Sequence, residues 1–383
     1  MVEKRAFKGS DDKISLLGFG AMRLPVTNVE TQEIDTGQAE EMIDYAWQSG
    51  VNYFDTAWPY HNGQSETVLT RALARYPRES YYLADKMPIW DANTSSDVEN
   101  IFEAQLKKCG VDYFDFYLLH SMSVSKWDKT CRLKAYDYLA KQKEKGRIRR
   151  LGFSFHDTPA TLEKIADAAT WDFAQIQLNY LDWELLDARG QYDVLTKRGI
   201  PVAVMEPVRG GTLATLSPNA LALLKQADPD VSAASWAIRF AAGLPNVYTV
   251  LSGMSSMEQL KDNINTVSPF SPLTESQCKL LDDVLAEFRK ASPILCTGCR
   301  YCMDCPNGVD IPKNFELYNH YLQTSEWSAF INGYFTIGAE KQAKCCIGCG
   351  ICQDKCPQKI DIPGLMPKIA EAYEKIEKPN WFK

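Results

Sequence analysis

The chain has 383 residues, of which 45% are hydrophobic and 24% charged, and its formal net charge is −7. This composition is typical of a globular protein with enough apolar residues for a large core. Because the net charge is acidic and the basic residues are dispersed, nucleic acid is a poor candidate partner. The first residues lack the apolar segment of a secretory signal, and no apolar run reaches the length of a membrane span. We therefore expect a cytoplasmic protein that does not enter a membrane.

Short apolar runs alternate with longer segments along the first 270 residues. The runs are rich in β-branched and aromatic residues and almost continuously hydrophobic, which is typical of parallel strands covered on their outer face. They span residues 16–22, 52–57, 81–88, 114–121, 149–156, 173–179, 201–207 and 247–253. The intervening segments show helical spacing of apolar residues. One of them predicts a helix that begins at Ser96 or Asp97 and ends at Gly110.

Eight strand–helix repeats predict an α/β protein with a (β/α)8 TIM barrel. The alternative is a doubly wound open sheet, which is disfavoured because no G-x-G-x-x-G follows the first strand. Asp55, Lys86 and His120 lie at the carboxyl ends of predicted strands, and Tyr60 follows in a loop. Each of these residues alone is more simply explained by capping, pairing or packing. In a barrel, however, their side chains can converge on the face that carries the active site.

The alternation stops near residue 270, so we predict a barrel domain over residues 1–270 and a mostly helical domain over residues 271–383. The chain has 12 cysteines, and eight of them fall in two similar segments that begin at Cys296 and Cys346. An internal repeat predicts a pair of related sites. A disulfide-stapled secreted protein would be small, so metal ligation in a reducing cytosol explains the cysteines better.

Each cysteine segment contains C-x2-C-x2-C followed by Cys-Pro. This spacing wraps three thiolates around one face of a 4Fe–4S cluster, while the fourth cysteine reaches the other cluster. Structural zinc is the alternative, but zinc favours separated pairs of cysteines. Two residues instead of three separate the last two cysteines of the first segment, which departs from the usual pattern. We assign Cys296, Cys299, Cys302 and Cys356 to the first cluster, and Cys346, Cys349, Cys352 and Cys305 to the second.

The segments YFDTA-x-x-Y, ADKMP and FYLLH, in this order, resemble the catalytic tetrad of the aldo-keto reductase family. The likeness extends from LLGFGAMRLP to LSGMSSMEQLKDNINT, and the tail resembles that of the ferredoxin-containing subgroup. The resemblance implies that Tyr60 is the general acid when a carbonyl is reduced. It also implies that Lys86, held by Asp55, lowers the pKa of Tyr60, and that His120 orients the carbonyl or relays the proton.

The resemblance further implies a nicotinamide cofactor, NADP(H) in preference to NAD(H), bound without a Rossmann motif. Ser154 and Gln177 would hold the carboxamide, and Met205 stands where many relatives stack an aromatic ring. The loop EPVRGGTL would offer amides and Arg209 to the pyrophosphate. A helix after Ser255 would receive the adenosine phosphate at its N-terminus. The full set of expected contacts is Ser154, Gln177, Met205, Pro207, Arg209, Gly211, Ser255, Gln259, Asp262 and Asn263.

We therefore expect an NAD(P)(H)-dependent oxidoreductase that interconverts a carbonyl compound and its alcohol. Trp58, Trp90 and Trp127 follow strand ends, so an apolar or cyclic substrate is conceivable. The alternative is a redox protein that passes single electrons through its clusters to a ferredoxin or flavodoxin. No flavin motif is present, so transfer between cluster and nicotinamide is not implied. A non-enzymatic dinucleotide sensor is a third reading, which the intact tetrad disfavours.

Overall fold

The structure is a computed structural model that describes residues 1–28, 31–290, 294–303, 305–324 and 326–376. The chain forms two compact units. The barrel unit comprises Met1–Val208 and Ala234–Glu275, and the tail unit comprises Arg209–Ala233 and Ser276–Lys383. Residues 209–233, expected in the barrel domain, thus group with the tail. The domain boundary after residue 270 stays a prediction, and residues 377–383 of the predicted second domain lie outside the described residues.

Eight parallel strands close into a barrel, and each pairs with its neighbour in sequence. This arrangement confirms the predicted (β/α)8 class. Each strand coincides with one of the apolar runs, and only β4 and β5 extend beyond theirs, by one residue each. Both faces of such a strand are covered and favour apolar side chains. The barrel strands are β1 (Leu17–Gly20), β2 (Tyr53–Asp55), β3 (Tyr82–Met87), β4 (Phe114–Met122), β5 (Ile148–Phe155), β6 (Phe173–Gln177), β7 (Val202–Met205) and β8 (Val247–Ser252).

Helices connect the strands of the barrel unit and pack their apolar faces on it. They are α1 (Thr36–Gln48), α2 (Ser65–Leu73), α3 (Ser95–Cys109), α4 (Val124–Arg132), α5 (Ala135–Glu144), α6 (Pro159–Ala168), α7 (Asp182–Leu185), α8 (Ala188–Arg198), α10 (Ala233–Ala242) and α11 (Met257–Thr266). The helix numbered α9 belongs to the tail unit. The N-cap of α3 is Thr94 and not Ser96 or Asp97. Thr94 and Asp97 form a reciprocal capping box, and Gly110 ends the helix with a φ of 64°.

A small antiparallel hairpin, Lys4–Ala6 with Lys13–Ser15, precedes the barrel. Phe7 in its turn is buried, and its ring lies 5.6 Å from that of Phe116 and 5.0 Å from that of Tyr248. These partners lie near the amino ends of their strands. The aromatic cluster therefore fills that end of the barrel and leaves the carboxyl ends for a site. A second hairpin pairs Val26–Asn28 with Glu33–Ile34.

Over its described residues, the secondary structure of the tail unit is helical with long connecting loops, as predicted for a mostly helical domain. Its helices are α9 (Pro218–Ala227), α12 (Glu275–Lys290, whose first residue belongs to the barrel unit), α13 (Ile311–Thr324), α14 (Trp327–Thr336), α15 (Ile351–Lys355) and α16 (Ile362–Lys375). Phe315, Phe330, Tyr334, Met366 and Ile369 are buried together in its core. No helix among the described residues is long and apolar enough to cross a bilayer.

Candidate functional site

Three charged or polar side chains lie together at the carboxyl ends of neighbouring strands. Asp55 ends β2, Lys86 lies near the end of β3, and His120 lies near the end of β4. The ammonium of Lys86 donates to Asp55 Oδ1 at 2.5 Å and to the carbonyl of Thr56 at 2.7 Å. Lys86 is completely buried, and Asp55 is 3% exposed. The pair is therefore an ion pair that water screens little.

Tyr60 completes this group from the loop after β2. Its ring centroid lies 4.9 Å from Lys86 Nζ and 6.0 Å from the centroid of His120. The two following residues, His61 and Asn62, have φ values of 50° and 52°. Such left-handed backbone at non-glycine residues is uncommon and often marks functional loops. The structure thus brings together the four residues expected to be catalytic, whose roles remain a proposal.

Burial governs the titration of the group. It raises the pKa of Tyr60 well above its usual value, and the charges of Asp55 and Glu206 raise it further. The pKa of Tyr60 is thus raised and not lowered as expected, because loss of hydration and the neighbouring carboxylates outweigh the attraction of Arg23. Burial also lowers the pKa of His120 well below its usual value, with a further contribution from Lys86. At neutral pH, Tyr60 is a phenol and His120 is uncharged.

Two buried polar atoms of the group have no hydrogen-bond partner among the described residues. They are Asp55 Oδ2 and His120 Nδ1. An unpaired buried polar atom costs about 1–3 kcal/mol, and such atoms are rare outside functional sites. The group therefore suits a ligand that brings a polar atom to His120.

Polar side chains at the ends of β5 and β6 suit the carboxamide of a nicotinamide. Ser154 Oγ accepts from the amide of Ser121 at 2.7 Å, so its own hydroxyl hydrogen can be donated elsewhere. Gln177 is buried, and its side-chain amide donates to Asp182 at 2.7 Å. Asn179 donates to the same carboxylate at 2.7 Å. Sequence reasoning missed Asn179, although its place two residues beyond Gln177 was a usable signal.

The loop after β7 departs from the expectation. Met205 is half-buried at the strand end, Pro207 is buried, and Gly211 is exposed with a φ of 94°. Arg209, however, is only 1% exposed, and its guanidinium donates to the carbonyl of Leu295 at 2.7 Å and to Gln358 Oε1 at 3.0 Å. Arg209 is therefore engaged within the tail unit, and we withdraw it from the proposed cofactor contacts.

The segment expected to bind the adenosine phosphate precedes α11. Ser256 is the N-cap, and its hydroxyl accepts from the amide of Gln259 at 3.4 Å. The amide of Ser255 donates to Gln259 Oε1 at 2.8 Å. Asp262 is half-buried, and buried Asn263 donates to the hydroxyl of Ser252 at 2.9 Å. The first turn of α11 thus presents amides that suit an anion.

Arg23 contacts this segment through its backbone. It lies three residues beyond the end of β1, and its carbonyl accepts from Ser255 Oγ at 2.8 Å. Its guanidinium pairs with Glu206 at 2.8 Å. Sequence reasoning missed Arg23, although a basic residue just beyond a strand's carboxyl end is a recognisable signal in a barrel.

In the tail unit, cysteine residues line two separate cavities. The first cavity is lined by Cys296, Cys299, Cys302 and Cys356, and the second by Cys305, Cys346, Cys349 and Cys352. These sets are the two that the sequence spacing assigned. Each contains three cysteines of one repeat and the Cys-Pro cysteine of the other, which is the arrangement expected for two 4Fe–4S clusters.

The backbone of the two cysteine loops also suits a cluster. The amide of Gly298 donates to Cys296 Sγ at 3.3 Å, and the amide of Gly348 donates to Cys346 Sγ at 3.4 Å. Both glycines have positive φ, 64° and 70°, which turns their amides toward the sulfur. Hydrogen bonds of this kind stabilise thiolate and tune iron–sulfur clusters. The donor set and its surroundings therefore fit the predicted groups.

Comparison with known proteins gives two family matches. Residues 16–286 match the aldo/keto reductase family, and residues 295–362 match a 4Fe-4S dicluster domain. Over 263 residues the chain is 29% identical to an aldo-keto reductase of Mycolicibacterium vanbaalenii, and the aligned region covers 68% of this chain and 88% of the relative. It is 24% identical over 301 residues to the L-galactose dehydrogenase of Arabidopsis thaliana, and the aligned region covers 72% of this chain and 91% of that relative.

Solved structures share the barrel fold. The aldo-keto reductase AKR11C1 from Bacillus halodurans, in its holo form, superposes with a TM-score of 0.61 at 24% identity, over 74% of this chain and 96% of that one. The thermostable aldo-keto reductase Tm1743 superposes with a TM-score of 0.61 at 20% identity, over 73% and 99%. At these identities the likeness establishes the fold alone.

Proposed function

The chain belongs to the aldo-keto reductase family of oxidoreductases and carries a C-terminal 4Fe-4S dicluster domain, and we propose that it reduces a carbonyl compound to an alcohol with NAD(P)H. The observation that carries the proposal is the buried group at the carboxyl ends of the strands. It consists of the Lys86–Asp55 ion pair, the phenol of Tyr60 beside Lys86, and neutral His120. It supplies the acid and the polar contacts that carbonyl reduction requires.

A bound reduced nicotinamide would supply the hydride to the carbonyl carbon. Tyr60, protonated because burial raises its pKa, donates its phenolic proton to the carbonyl oxygen as that oxygen gains charge. Lys86 lies beside the ring and stabilises the phenolate that is left, and Asp55 holds Lys86 in place. His120 offers a ring nitrogen to the oxygen. A proton from solvent then restores the phenol.

We assign the cofactor contacts to two regions of the barrel unit. Ser154, Gln177 and Asn179 would bind the carboxamide through their amide and hydroxyl groups. The first turn of α11 would bind the adenosine phosphate. We keep the preference for NADP(H) over NAD(H) that the resemblance to the family implies. Equilibrium binding of both cofactors, followed by the fluorescence of the reduced nicotinamide, checks this assignment.

The activity is tested by screening aldehydes, ketones and alcohols against both nicotinamides. Loss of NAD(P)H absorbance with at least one carbonyl compound is the expected result. Binding of NAD(P)H without turnover of any compound would contradict the proposal and favour a dinucleotide sensor.

We also propose that the tail holds two 4Fe–4S clusters. Anaerobically purified protein should contain about eight irons and about eight sulfides, as two cubanes require. The variant Cys356→Ala should lose iron from the first cluster, and Cys305→Ala should lose it from the second. Stoichiometric zinc without sulfide would contradict this assignment.

A second candidate function is exchange of single electrons with a ferredoxin or flavodoxin. The exposed edge of the second cysteine set favours it, since Cys349 is exposed and Ile347 and Ile351 are 65% and 47% exposed. Stopped-flow mixing of reduced protein with oxidised flavodoxin tests it. If protein without clusters reduces carbonyl compounds at an unchanged rate, the reductase activity does not depend on the clusters, and electron exchange is a separate function.

A further inference from the structure

Lys126 is a cation beside the candidate active site that the proposed chemistry does not use. It lies in α4, which follows β4 directly. Its ammonium donates to Ser121 Oγ at 2.8 Å and lies 5.0 Å from the ring centroid of Trp90. The Trp90 ring in turn lies 4.9 Å from that of His120. Lys126 and His120, the residue expected to contact the carbonyl, therefore both lie beside the Trp90 ring.

No carboxylate among the described residues compensates this ammonium. Burial lowers the pKa of Lys126 to about 8, and no acidic side chain contributes to the shift. The ionisable groups whose titration it influences are His120 and His156, and both have lowered pKa values, that of His156 about 3. A partly buried ammonium among neutral rings is unfavourable unless an anion pairs with it.

The backbone beside Lys126 is also unusual. Ser121, which follows His120, has a φ of 59°, a left-handed conformation that is uncommon for a non-glycine residue. Through its hydroxyl, Ser121 holds the ammonium of Lys126, and its amide donates to Ser154. The unpaired buried nitrogen of His120 is an independent sign that a polar ligand binds next to Trp90 and Lys126.

We propose that Lys126, together with Trp90, forms an anion subsite next to His120. The preferred substrates are then carbonyl compounds that carry a carboxylate or a phosphate. This inference rests on the proposed reductase function, because it assigns the substrate class of the same site. Trp90 contributes an apolar face against the substrate, and Lys126 contributes the charge.

The test compares three benzaldehydes that carry a different group in the para position: 4-carboxybenzaldehyde and 4-formylphenyl phosphate, which are anions, and the neutral methyl ester of the first. The wild-type protein should favour the two anions. Lys126→Met should lower kcat/KM for the anions by about tenfold to a hundredfold, the contribution of a hydrogen bond to a charged group. It should leave the ester within about threefold of its wild-type value. Lys126→Arg should retain most of the preference.

Arg132→Gln is the matched control, since it removes one exposed cation from the same helix. Binding of each aldehyde, measured by tryptophan fluorescence, is recorded beside turnover. Turnover without preference for the anions, or an equal loss in Arg132→Gln, overturns the subsite. If the anionic aldehydes bind in a Lys126-dependent manner but are not reduced, the subsite proposal stands and the proposed reductase activity is wrong. Absence of both binding and turnover overturns both proposals.

A second inference concerns the tail unit, where the two halves of the cysteine repeat differ in one contact. Asn307 and Gln358 are equivalent, since each lies two residues beyond a Cys-Pro cysteine. Asn307 donates directly to the carbonyl of Cys345, the residue before the second motif, at 2.8 Å. Gln358 instead accepts from Arg209, which donates to the carbonyl of Leu295, the residue before the first motif.

The guanidinium of Arg209 thus lies between Gln358 and the residue before the first cysteine motif, and it bonds to both. It is buried, and Gly210 next to it packs against the backbone of the first cysteine loop. A Cβ on Gly210 would lie 2.2 Å from the carbonyl oxygen of Thr297. The segment is therefore closely fitted to that loop. Among the described residues, the corresponding contact beside the second cysteine set is made by the amide of Asn307 and involves no cation.

From this difference we infer that Arg209 raises the reduction potential of the first cluster. The inference presumes the proposed clusters. A 4Fe–4S cluster gains one negative charge when it accepts an electron. A buried cation nearby stabilises the reduced form more than the oxidised form, and net charge is one of the terms that set such potentials.

The test is a redox titration of the anaerobic protein with dithionite, followed by electron paramagnetic resonance. Cys349→Ala, which removes a ligand of the second cluster, assigns the signals. Arg209→Gln should lower the reduction equilibrium constant of the first cluster at least tenfold, which is about 59 mV for one electron. Arg209→Lys should retain most of the wild-type potential. Lys344→Gln, which removes an exposed cation near the second motif, is the control and should shift either cluster less.

Gln358→Glu provides a second measurement if Arg209→Gln does not retain iron. The new carboxylate would pair with the guanidinium and neutralise it, so the potential of the first cluster should again fall. Full iron content with an unchanged potential in either variant overturns the inference. Wild-type protein without iron and sulfide overturns the cluster proposal itself.

Discussion

Replacing Tyr60 by phenylalanine separates chemistry from structure at this site. Tyr60 is 8% exposed, and its hydroxyl forms no hydrogen bond among the described residues. The contacts of its ring with Lys86 and His120 do not use the oxygen. Phenylalanine should therefore keep the packing, and the free energy of unfolding should change by less than about 1.5 kcal/mol, as for other nearly isosteric replacements.

The expected loss in rate is much larger than this change in stability. Removing a proton-transfer group costs about 10²–10⁴-fold in rate. This factor corresponds to about 2.7–5.4 kcal/mol of transition-state stabilisation. Binding of NAD(P)H should change little, because the hydroxyl is not among the proposed cofactor contacts. The loss should therefore appear in kcat and not in cofactor affinity.

The assay is steady-state oxidation of NAD(P)H with the best carbonyl compound from the screen, beside fluorescence titration of the cofactor. Tyr138→Phe is the matched control. Its hydroxyl also has no hydrogen-bond partner among the described residues, but it lies on α5, where its ring packs 6.1 Å from Phe102. A Tyr60→Phe variant that retains at least a tenth of the wild-type rate would refute the assignment of Tyr60 as the acid.

Three further predictions concern stability, pH and backbone fit. Lys86→Met leaves the Asp55 carboxyl buried without its partner and should lower the free energy of unfolding by about 3–5 kcal/mol. Adding Asp55→Leu should recover part of this loss. Urea unfolding followed by circular dichroism measures both variants, and an unchanged midpoint in the single variant would contradict the burial argument. The pKa of Tyr60 is raised and its protonated form is the proton donor. The kcat for reducing a neutral aldehyde should therefore not fall between about pH 7 and pH 9. A decline of kcat through neutral pH would indicate a phenol of lowered pKa and contradict the prediction. Gly210→Ala should reduce iron retention, because its Cβ would collide with Thr297. The control Gly211→Ala has no atom within 4 Å of its Cβ and is disfavoured only by its positive φ. Equal iron contents in the two variants would show that the close approach of Gly210 to Thr297 has no consequence.

Several features of this protein followed from local sequence. Each barrel strand is short and apolar on both faces, so its position was readable without knowledge of its neighbours. Asp55, Lys86 and His120 were recognisable as a group because barrel closure brings the carboxyl ends of all strands to one face. The cysteine spacing also predicted the two cysteine-lined cavities, since a cubane constrains the separation of its ligands along the chain.

Other features depended on contacts between residues distant in sequence. The pKa of Tyr60 moves upward because the surrounding fold excludes water, and no local pattern reports that exclusion. Lys126 became a candidate only when its place beside Trp90 and the absence of a compensating carboxylate were visible. Arg209 lies 86 residues from Leu295 and 149 from Gln358 along the chain, so only tertiary structure could pair them. Sequence spacing specifies local elements and repeated ligands, whereas burial and long-range partners decide what a charged side chain does.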